Sequence, residues 1–275
     1  MMGRTLLLIT ALTLLGGTAL AAMGSLITSF PNRGASTHFG MAADAEYLYS
    51  FHYDVGAGYP IVVLRKANGV FVRSLQIPLP DWQRQYFRGV GYDGDGSVGL
   101  GYLYLDNYSS RFVAKLRIAN GKLVSTWGWV GGTYRYGLCC ESDKTRPGTL
   151  KGFYQNNFDG TWWRSDKDGS LISSWRLPYS NFAYDLAWDY VNGLIWYANY
   201  STLWVFGTTP AGSIKESWRL EAGVSAPYGV AYYERRLYVS TSGGSPDEYV
   251  WVYDCPVSTV GIKPASLGKV KALFE

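Results

Sequence analysis

The stretch GSLISSW (residues 169–175) decides the fold, because it is one of five related phrases along the 275-residue chain. Each phrase opens with glycine, continues with mostly apolar residues and Ser or Thr, and ends in an aromatic residue or leucine. The opening glycines are Gly24, Gly69, Gly121, Gly169 and Gly212. Their intervals of 45, 52, 48 and 43 residues fit the repeat length of about 40 to 50 residues of a four-stranded propeller blade. The repeat therefore predicts a β-propeller.

A second set of segments alternates apolar and small residues and predicts the innermost strands. These segments are HFGMAAD (residues 38–44), FRGVGYD (87–93), YGLCCE (136–141), AYDLAWD (183–189) and PYGVAYY (227–233). After PYGVAYY the chain supplies only two more strands, RLYVSTS (236–242) and YVWVYD (249–254). The missing outer strand is GSLITSF (24–30), which has no blade before it. We therefore predict an all-β, five-bladed β-propeller closed by an N-terminal outer strand, an arrangement that removes a free edge.

The two ends of the chain differ from the repeats. Residues 1–21 combine Arg4, a short apolar stretch and a small-residue pattern at Ala19 and Ala21, which predicts a secretory signal peptide. Residues 24–256 form the predicted propeller. Residues 257–275 are predicted to be a flexible tail, with a sorting or attachment segment as the alternative. These features predict a secreted protein of periplasmic, cell-surface or extracellular location.

The amino-acid composition and charge of the chain argue against some classes of binding partner. The chain has 33 glycines, 23 tyrosines and 11 tryptophans, which suits short strands and tight turns. The formal net charge is +4, and the basic residues are scattered, so nucleic acid is an improbable partner. The apolar part of residues 1–21 is shorter than a membrane span of about 20 residues, so no membrane span is predicted.

The last repeat resembles a known superfamily. Pro227-Tyr228-Gly229-Val230-Ala231, followed by residues 237–239 and 250–254, is similar to the repeat phrase of NHL/YVTN-type β-propeller proteins. Weaker copies cover residues 24–255. The resemblance implies a propeller and no particular reaction, since that superfamily holds lactonases, lyases, peptide binders and scaffolds. This chain departs from the pattern in its five blades and in Tyr233 and Glu141, which stand at the turn aspartate position.

Carboxylates end four of the innermost strands in matching register: Asp44, Asp93, Glu141 and Asp189. An aspartate there typically fixes the following turn through backbone hydrogen bonds. Asp185 differs, because the other four blades carry glycine at its position. We expect Asp185 to line the channel or to pair with Arg135 or Arg88. If the protein is an enzyme, the candidate catalytic residues are Asp185, Asp93 and Glu141, since glycoside hydrolysis needs paired carboxylates.

The residue immediately before the inner-strand glycine, or before Asp185 in the fourth blade, is a candidate for a ligand site. By repetition, five residues surround one mouth of the channel: Phe39, Arg88, Tyr136, Tyr184 and Tyr228. Aromatic rings there stack on sugar faces or hold a peptide, and phenol hydroxyls add hydrogen bonds. Packing between blades is the favoured interpretation of these five positions, and it is also the interpretation of the outer-strand residues Phe30, Trp127, Trp175 and Trp218.

The sequence predicts neither a metal site nor a catalytic triad. His38 and His52 are the only histidines, and no metal-ligand spacing occurs. No cofactor is predicted, and calcium in the channel is an alternative that no ligand pattern supports. Cys139, Cys140 and Cys255 are expected to be buried free thiols, or a strained vicinal bond between the first two. No nucleophile motif of the hydrolases is present.

Three functions remain open at this point. The favoured one is a secreted, non-catalytic propeller that binds a carbohydrate, peptide or protein partner through its channel mouth and loops, such as residues 142–148 and 243–248. The second is a lyase, lactonase or glycosidase with acids at the central channel. The third is a self-assembling extracellular structural subunit, a scaffold.

Overall fold

The computed structural model describes residues 24–32, 38–54, 57–94, 98–128, 134–142, 149–177, 181–221, 224–241 and 248–255. The predicted signal peptide, the predicted tail, and most of the two loops expected to supply specificity lie outside the described residues. Within the described part no helix is long and apolar enough to cross a membrane.

The described residues contain twenty strands and one helical turn, α1 (Asp81–Arg84). In order, the strands are β1 (Leu26–Pro31), β2 (His38–Ala43), β3 (Tyr47–His52), β4 (Ile61–Arg65), β5 (Phe71–Leu75), β6 (Phe87–Asp93), β7 (Tyr102–Asn107), β8 (Phe112–Arg117), β9 (Leu123–Gly128), β10 (Arg135–Ser142), β11 (Leu150–Asn157), β12 (Thr161–Asp166), β13 (Leu171–Arg176), β14 (Ala187–Asp189), β15 (Leu194–Asn199), β16 (Trp204–Thr208), β17 (Ile214–Arg219), β18 (Pro227–Tyr233), β19 (Arg236–Thr241) and β20 (Tyr249–Asp254).

The strands form five antiparallel sheets of four, which are the blades of a β-propeller. Blade I is β2-β3-β4-β5, blade II is β6-β7-β8-β9, blade III is β10-β11-β12-β13, and blade IV is β14-β15-β16-β17. Blade V has the order β18-β19-β20-β1, so the first strand of the chain completes the last blade. The predicted fold and its closure are therefore confirmed, with Phe30 opposite Val250 in the register of β1 and β20.

The repeated glycines have a structural cause. Gly24, Gly69, Gly121, Gly169 and Gly212 all have positive φ, between 66° and 87°, just before an outer strand. That backbone region suits glycine because it carries no Cβ. A Cβ on Gly69 would also overlap the Phe30 ring of the preceding blade, and one on Gly24 would overlap Trp218. Glycine is thus suited to all five turns, and at Gly24 and Gly69 the close contact with the neighbouring blade also requires it.

The core is divided among the five interfaces between blades. Each interface holds one cluster of buried apolar side chains, such as Phe51 and Phe87 between blades I and II. Buried polar contacts also join blades: Arg135 Nε lies 3.7 Å from Asp106 Oδ1, and Gln155 donates to Asp106 Oδ2 at 2.6 Å. Burial raises the pKa of Asp106 to about 6, against the opposing effect of the Arg135 guanidinium.

The inner strand of blade IV is shorter than predicted. The sequence predicts a strand over residues 183–189, but the regular ladder covers only Ala187–Asp189, with a single bridge between Ala183 and Asn199. Phe182 has a φ of 65°, and the Ala183 carbonyl accepts a hydrogen bond from Asn156 Nδ2 of blade III. Ladder pairing is lost there because the backbone turns toward the neighbouring blade.

Candidate functional site

The five residues predicted to surround the channel mouth meet in the structure. They lie at the start of the inner strands, on one face of the ring, and each is half-buried. Ring centroids are 4.6 Å apart for Tyr184 and Tyr228, 4.9 Å for Tyr136 and Tyr184, and 5.4 Å for Phe39 and Tyr228. The Arg88 guanidinium lies 3.9 Å from the Phe39 ring centroid. The five side chains therefore form a continuous floor over the axis.

A second tier of aromatic residues surrounds this floor and was missed in the sequence. Each member directly follows the second strand of its blade: Tyr53, Tyr108, Phe158 and Tyr200. Tyr200 contacts the rings of Tyr184 and Tyr228 at 5.3 and 5.4 Å, and Phe158 contacts Tyr136 at 5.6 Å. An aromatic residue after the second strand in four of five blades was the signal that could have revealed it. The floor and this tier together are called the aromatic bowl below.

Arg88 is the one charged member of the aromatic bowl. Its Nη1 donates to the carbonyls of Gln85 and Phe87, at 3.0 and 2.7 Å. The guanidinium also lies 5.5 Å from the Tyr108 centroid and 5.8 Å from that of Tyr53. Burial lowers the pKa of Arg88, while nearby tyrosine hydroxyls oppose that shift. The cation is held against ring faces, a geometry that stabilises a guanidinium.

Asp185 lies beneath the bowl, one residue after Tyr184, and is almost fully buried. Its Oδ2 accepts the backbone N–H groups of Met41 at 2.8 Å and Val230 at 2.9 Å, so it joins blade IV to blades I and V. The expectation that it pairs with Arg135 or Arg88 is wrong, since Arg135 lies against Asp106 and Arg88 against Phe39. Burial raises the pKa of Asp185 well above its usual range.

The other two candidate catalytic acids stand at the opposite end of the inner strands. Asp93 and Glu141 lie four residues beyond the register position of Asp185, roughly 13 Å along a strand. Both Glu141 oxygens accept from Arg164, at 2.9 and 3.0 Å. Burial raises the pKa of Asp93, whose Oδ2 lies 3.4 Å from the Tyr104 hydroxyl. By this register the backbone level of Asp185 lies farther from that of Asp93 and Glu141 than the carboxylate separation of about 5 to 10 Å used in glycoside hydrolysis.

Asp44 and Asp189 have the hydrogen bonds of turn-fixing acids. Asp44 Oδ1 accepts the backbone N–H groups of Glu46 and Tyr47, and its Oδ2 accepts the Tyr49 hydroxyl at 2.6 Å and the Gly99 N–H at 2.8 Å. Asp189 Oδ1 likewise accepts from the backbone of residues 191 and 192. Its Oδ2 accepts from Asn192 Nδ2 and Trp196 Nε1, so both oxygens of each carboxylate accept hydrogen bonds from the protein.

A cavity of about 360 Å³ opens on the face opposite the bowl, between the ends of the inner strands. Apolar and aromatic side chains such as Met41, Tyr92 and Trp188 line it, together with Cys139 and Cys140. These two thiols and Cys255 are free and buried, as expected, and burial raises the pKa of each well above its usual range.

No group of three or more His, Cys, Asp or Glu side chains suited to a metal ion occurs among the described residues. His38 and His52 are buried in contact with each other, with ring centroids 3.9 Å apart. His38 Nε2 lies 2.8 Å from Glu248 Oε2. Burial lowers the pKa of His38 to about 3 and raises that of Glu248 to about 7. The two histidines therefore belong to the junction of blades I and V.

Comparison with solved structures supports the fold. The chain is similar to glutaminyl cyclase from Myxococcus xanthus, with a TM-score of 0.59 and 14% identity over 85% of this chain and 97% of that one. It is also similar to a chain of the nidogen/laminin complex, with a TM-score of 0.51 and 14% identity over 84% and 82% of the two chains. No family model and no curated protein matches the sequence.

These likenesses define the class of the molecule, a five-bladed β-propeller, and confirm the resemblance to propeller repeat proteins at the level of fold. At 14% identity they show the fold alone. One of the similar proteins is an enzyme and the other comes from a binding complex, so both binding and catalysis occur among similar propellers.

Proposed function

We propose that this protein is a non-catalytic recognition propeller that binds a carbohydrate on the aromatic bowl. The observation that carries the proposal is the contact of four ring-bearing residues and Arg88 around the axis, each with part of its side chain accessible. Flat aromatic rings stack on the C–H faces of sugars, and phenol hydroxyls hydrogen-bond to sugar hydroxyls. In this proposal residues 1–21 direct export, so that the bowl meets ligands outside the cytoplasm.

The composition of the bowl favours a carbohydrate over a peptide strand. Peptides bound in extended form pair with an open strand edge. Beneath the bowl, the inner-strand N–H groups of Met41 and Val230 are already bound by Asp185. The bowl is instead built of half-buried aromatic side chains, a composition that suits sugar rings.

The acids support binding rather than hydrolysis. Asp185 is nearly inaccessible, Glu141 is engaged by Arg164, and about 13 Å of strand separates the levels of the two carboxylates. A glycosidase places two carboxylates on either side of one bond. We infer that Asp185 organises the inner strands and takes no part in a reaction.

The experiment is a glycan and peptide array followed by calorimetry. The variants are Tyr184→Ala in the floor and Phe158→Ala at the rim, where Phe158 is 38% exposed. The matched control is Tyr233→Ala, because Tyr233 lines the cavity on the opposite face. We expect the wild-type protein to bind a glycan. Tyr184→Ala should lower the affinity for that glycan about tenfold or more, Phe158→Ala should lower it less, and Tyr233→Ala should leave it unchanged.

The proposal fails if the array shows peptides and no glycans. It also fails if both bowl variants, checked as folded by thermal unfolding, bind the glycan as tightly as the wild-type protein.

A further inference from the structure

Arg88 breaks the fivefold pattern of the bowl. The other four blades place an aromatic ring at its position, and blade II alone places a cation there. Four other arginines of the described residues lie beside carboxylates: Arg65 beside Glu46, Arg84 beside Asp81, Arg135 beside Asp106 and Arg164 beside Glu141. Arg88 has no carboxylate within ion-pair distance in the described part of the chain. Its charge is therefore compensated by ring faces and two carbonyls only.

The free donors of Arg88 form one edge of the guanidinium. Both of its hydrogen bonds to the protein come from Nη1. Neither Nη2 nor Nε donates to any described residue, and neither is among the described buried polar atoms that lack a partner. Nη2 and Nε are the two donors that bind a carboxylate in the bidentate, side-on arrangement. The edge suited to a carboxylate is thus the one left available.

The surroundings of Arg88 strengthen such a contact. The side chain is half-buried, so a charge-assisted hydrogen bond is less screened there than on an open surface. The groups that act on its charge are the hydroxyls of Tyr53, Tyr108, Tyr136 and Tyr184. Burial shifts the pKa of both Tyr136 and Tyr184 further upward.

We propose that Arg88 is a specificity-determining residue that selects acidic carbohydrates, namely sugars whose ring carries a carboxylate, such as uronic acid oligomers. The inference rests on the proposed function, because the ring faces bind the sugar while Arg88 Nη2 and Nε bind its carboxylate. The fixed orientation of the guanidinium over Phe39 holds that edge beside the ring faces.

The test compares matched ligands that differ only in the carboxylate. Wild-type protein is titrated with a trimer of galacturonic acid, with its methyl ester, and with the neutral galactose trimer. We expect the acid to bind about tenfold or more tightly than the ester, a difference that shrinks as salt is raised. Arg88→Met, which keeps an apolar stem over Phe39, should bind acid and ester with equal affinity. Arg88→Lys should keep part of the preference, since a lysine makes no bidentate contact.

The results separate this inference from the proposed function. Equal binding of acid and ester by folded wild-type protein overturns the inference while leaving glycan recognition in place. An acid preference that persists in Arg88→Met overturns it as well. A peptide pair with a free and an amidated C-terminus provides the third arm. A preference for the free peptide, without one for the acidic sugar, overturns the assignment of the carboxylate to a sugar. Failure of all three sugars to bind overturns both proposals for these ligands.

Discussion

Gly24 donates its backbone N–H to the Asp254 carbonyl at 2.8 Å, although 230 residues of chain separate them. The Asp254 N–H in turn donates to the Ser25 carbonyl at 2.9 Å. The covalent turn of blade I has the same pair of bonds, from Gly69 to Arg65 at 2.8 Å and from Arg65 to Val70 at 2.8 Å. The junction that closes the propeller therefore has the hydrogen bonds of a hairpin turn, although its two strands are not consecutive in the chain.

That geometry predicts the effect of a substitution at the junction. Gly24→Ala should destabilise the protein by about 1–3 kcal/mol, because φ is +77° and the added Cβ would overlap the Trp218 ring. Gly128→Ala is the control, since nothing lies within 4 Å of its added Cβ, and should change stability by less than about 1 kcal/mol. Chemical denaturation measures both. Equal effects of the two substitutions would contradict the requirement for glycine at the junction.

The buried Asp185 predicts a pH-dependent effect of Asp185→Asn. The pKa of Asp185 is raised in the folded state, so its stabilising contribution is present below the unfolded pKa near 3.8 and is lost as pH rises. Asparagine can still accept the Met41 and Val230 N–H groups and has no such dependence. Relative to wild type, the variant should gain up to about 1.4 kcal/mol for each pH unit above 4 until the folded pKa is reached. A variant that becomes relatively less stable as pH rises would mean that Asp185 is an anion in the folded protein.

Asp44 and Asp93 occupy the same register position and should differ in their contribution to stability. Asp44→Ala removes four hydrogen bonds, including one to Gly99 of the next blade, and should cost about 2–4 kcal/mol. Asp93→Ala removes one long contact to Tyr104 and should cost less than about 1 kcal/mol. Urea unfolding of the two variants decides the point. A larger loss of stability for Asp93→Ala than for Asp44→Ala would contradict the structural role assigned to Asp44.

The three cysteines should be unreactive in the folded protein. Each thiol is buried and its pKa is raised, so little thiolate is present at neutral pH. We expect no reaction with a thiol reagent under native conditions and three equivalents in denaturant without reductant. Only one equivalent in denaturant would demonstrate a disulfide.

The fold could be predicted from the sequence because the same backbone conformation recurs five times. The left-handed turn before each outer strand demands glycine, and the spacing of Gly69 and Gly121 therefore reports the length of a blade. The closing strand was predictable for the same reason, since residues 24–30 carry the outer-strand phrase without a preceding blade.

The candidate site was predictable in part. Repetition placed Tyr136, Tyr184 and Tyr228 around one axis, and the structure brings their rings together. The partner of Asp185 was not predictable, because backbone N–H groups carry no signature in the sequence and local spacing does not reveal which blade approaches across the axis. The orientation of Arg88 likewise depends on contacts with Phe39 and two carbonyls that only the folded ring creates.

The most direct test of recognition at the aromatic bowl is an NMR titration of protein labelled on its tyrosine rings. With the galacturonic acid trimer as ligand, we expect shifts in the ring signals of Tyr136, Tyr184 and Tyr228, and none in those of Tyr190 and Tyr232, which line the cavity on the opposite face. Shifts confined to Tyr190 and Tyr232 would contradict the account by placing the ligand in that cavity.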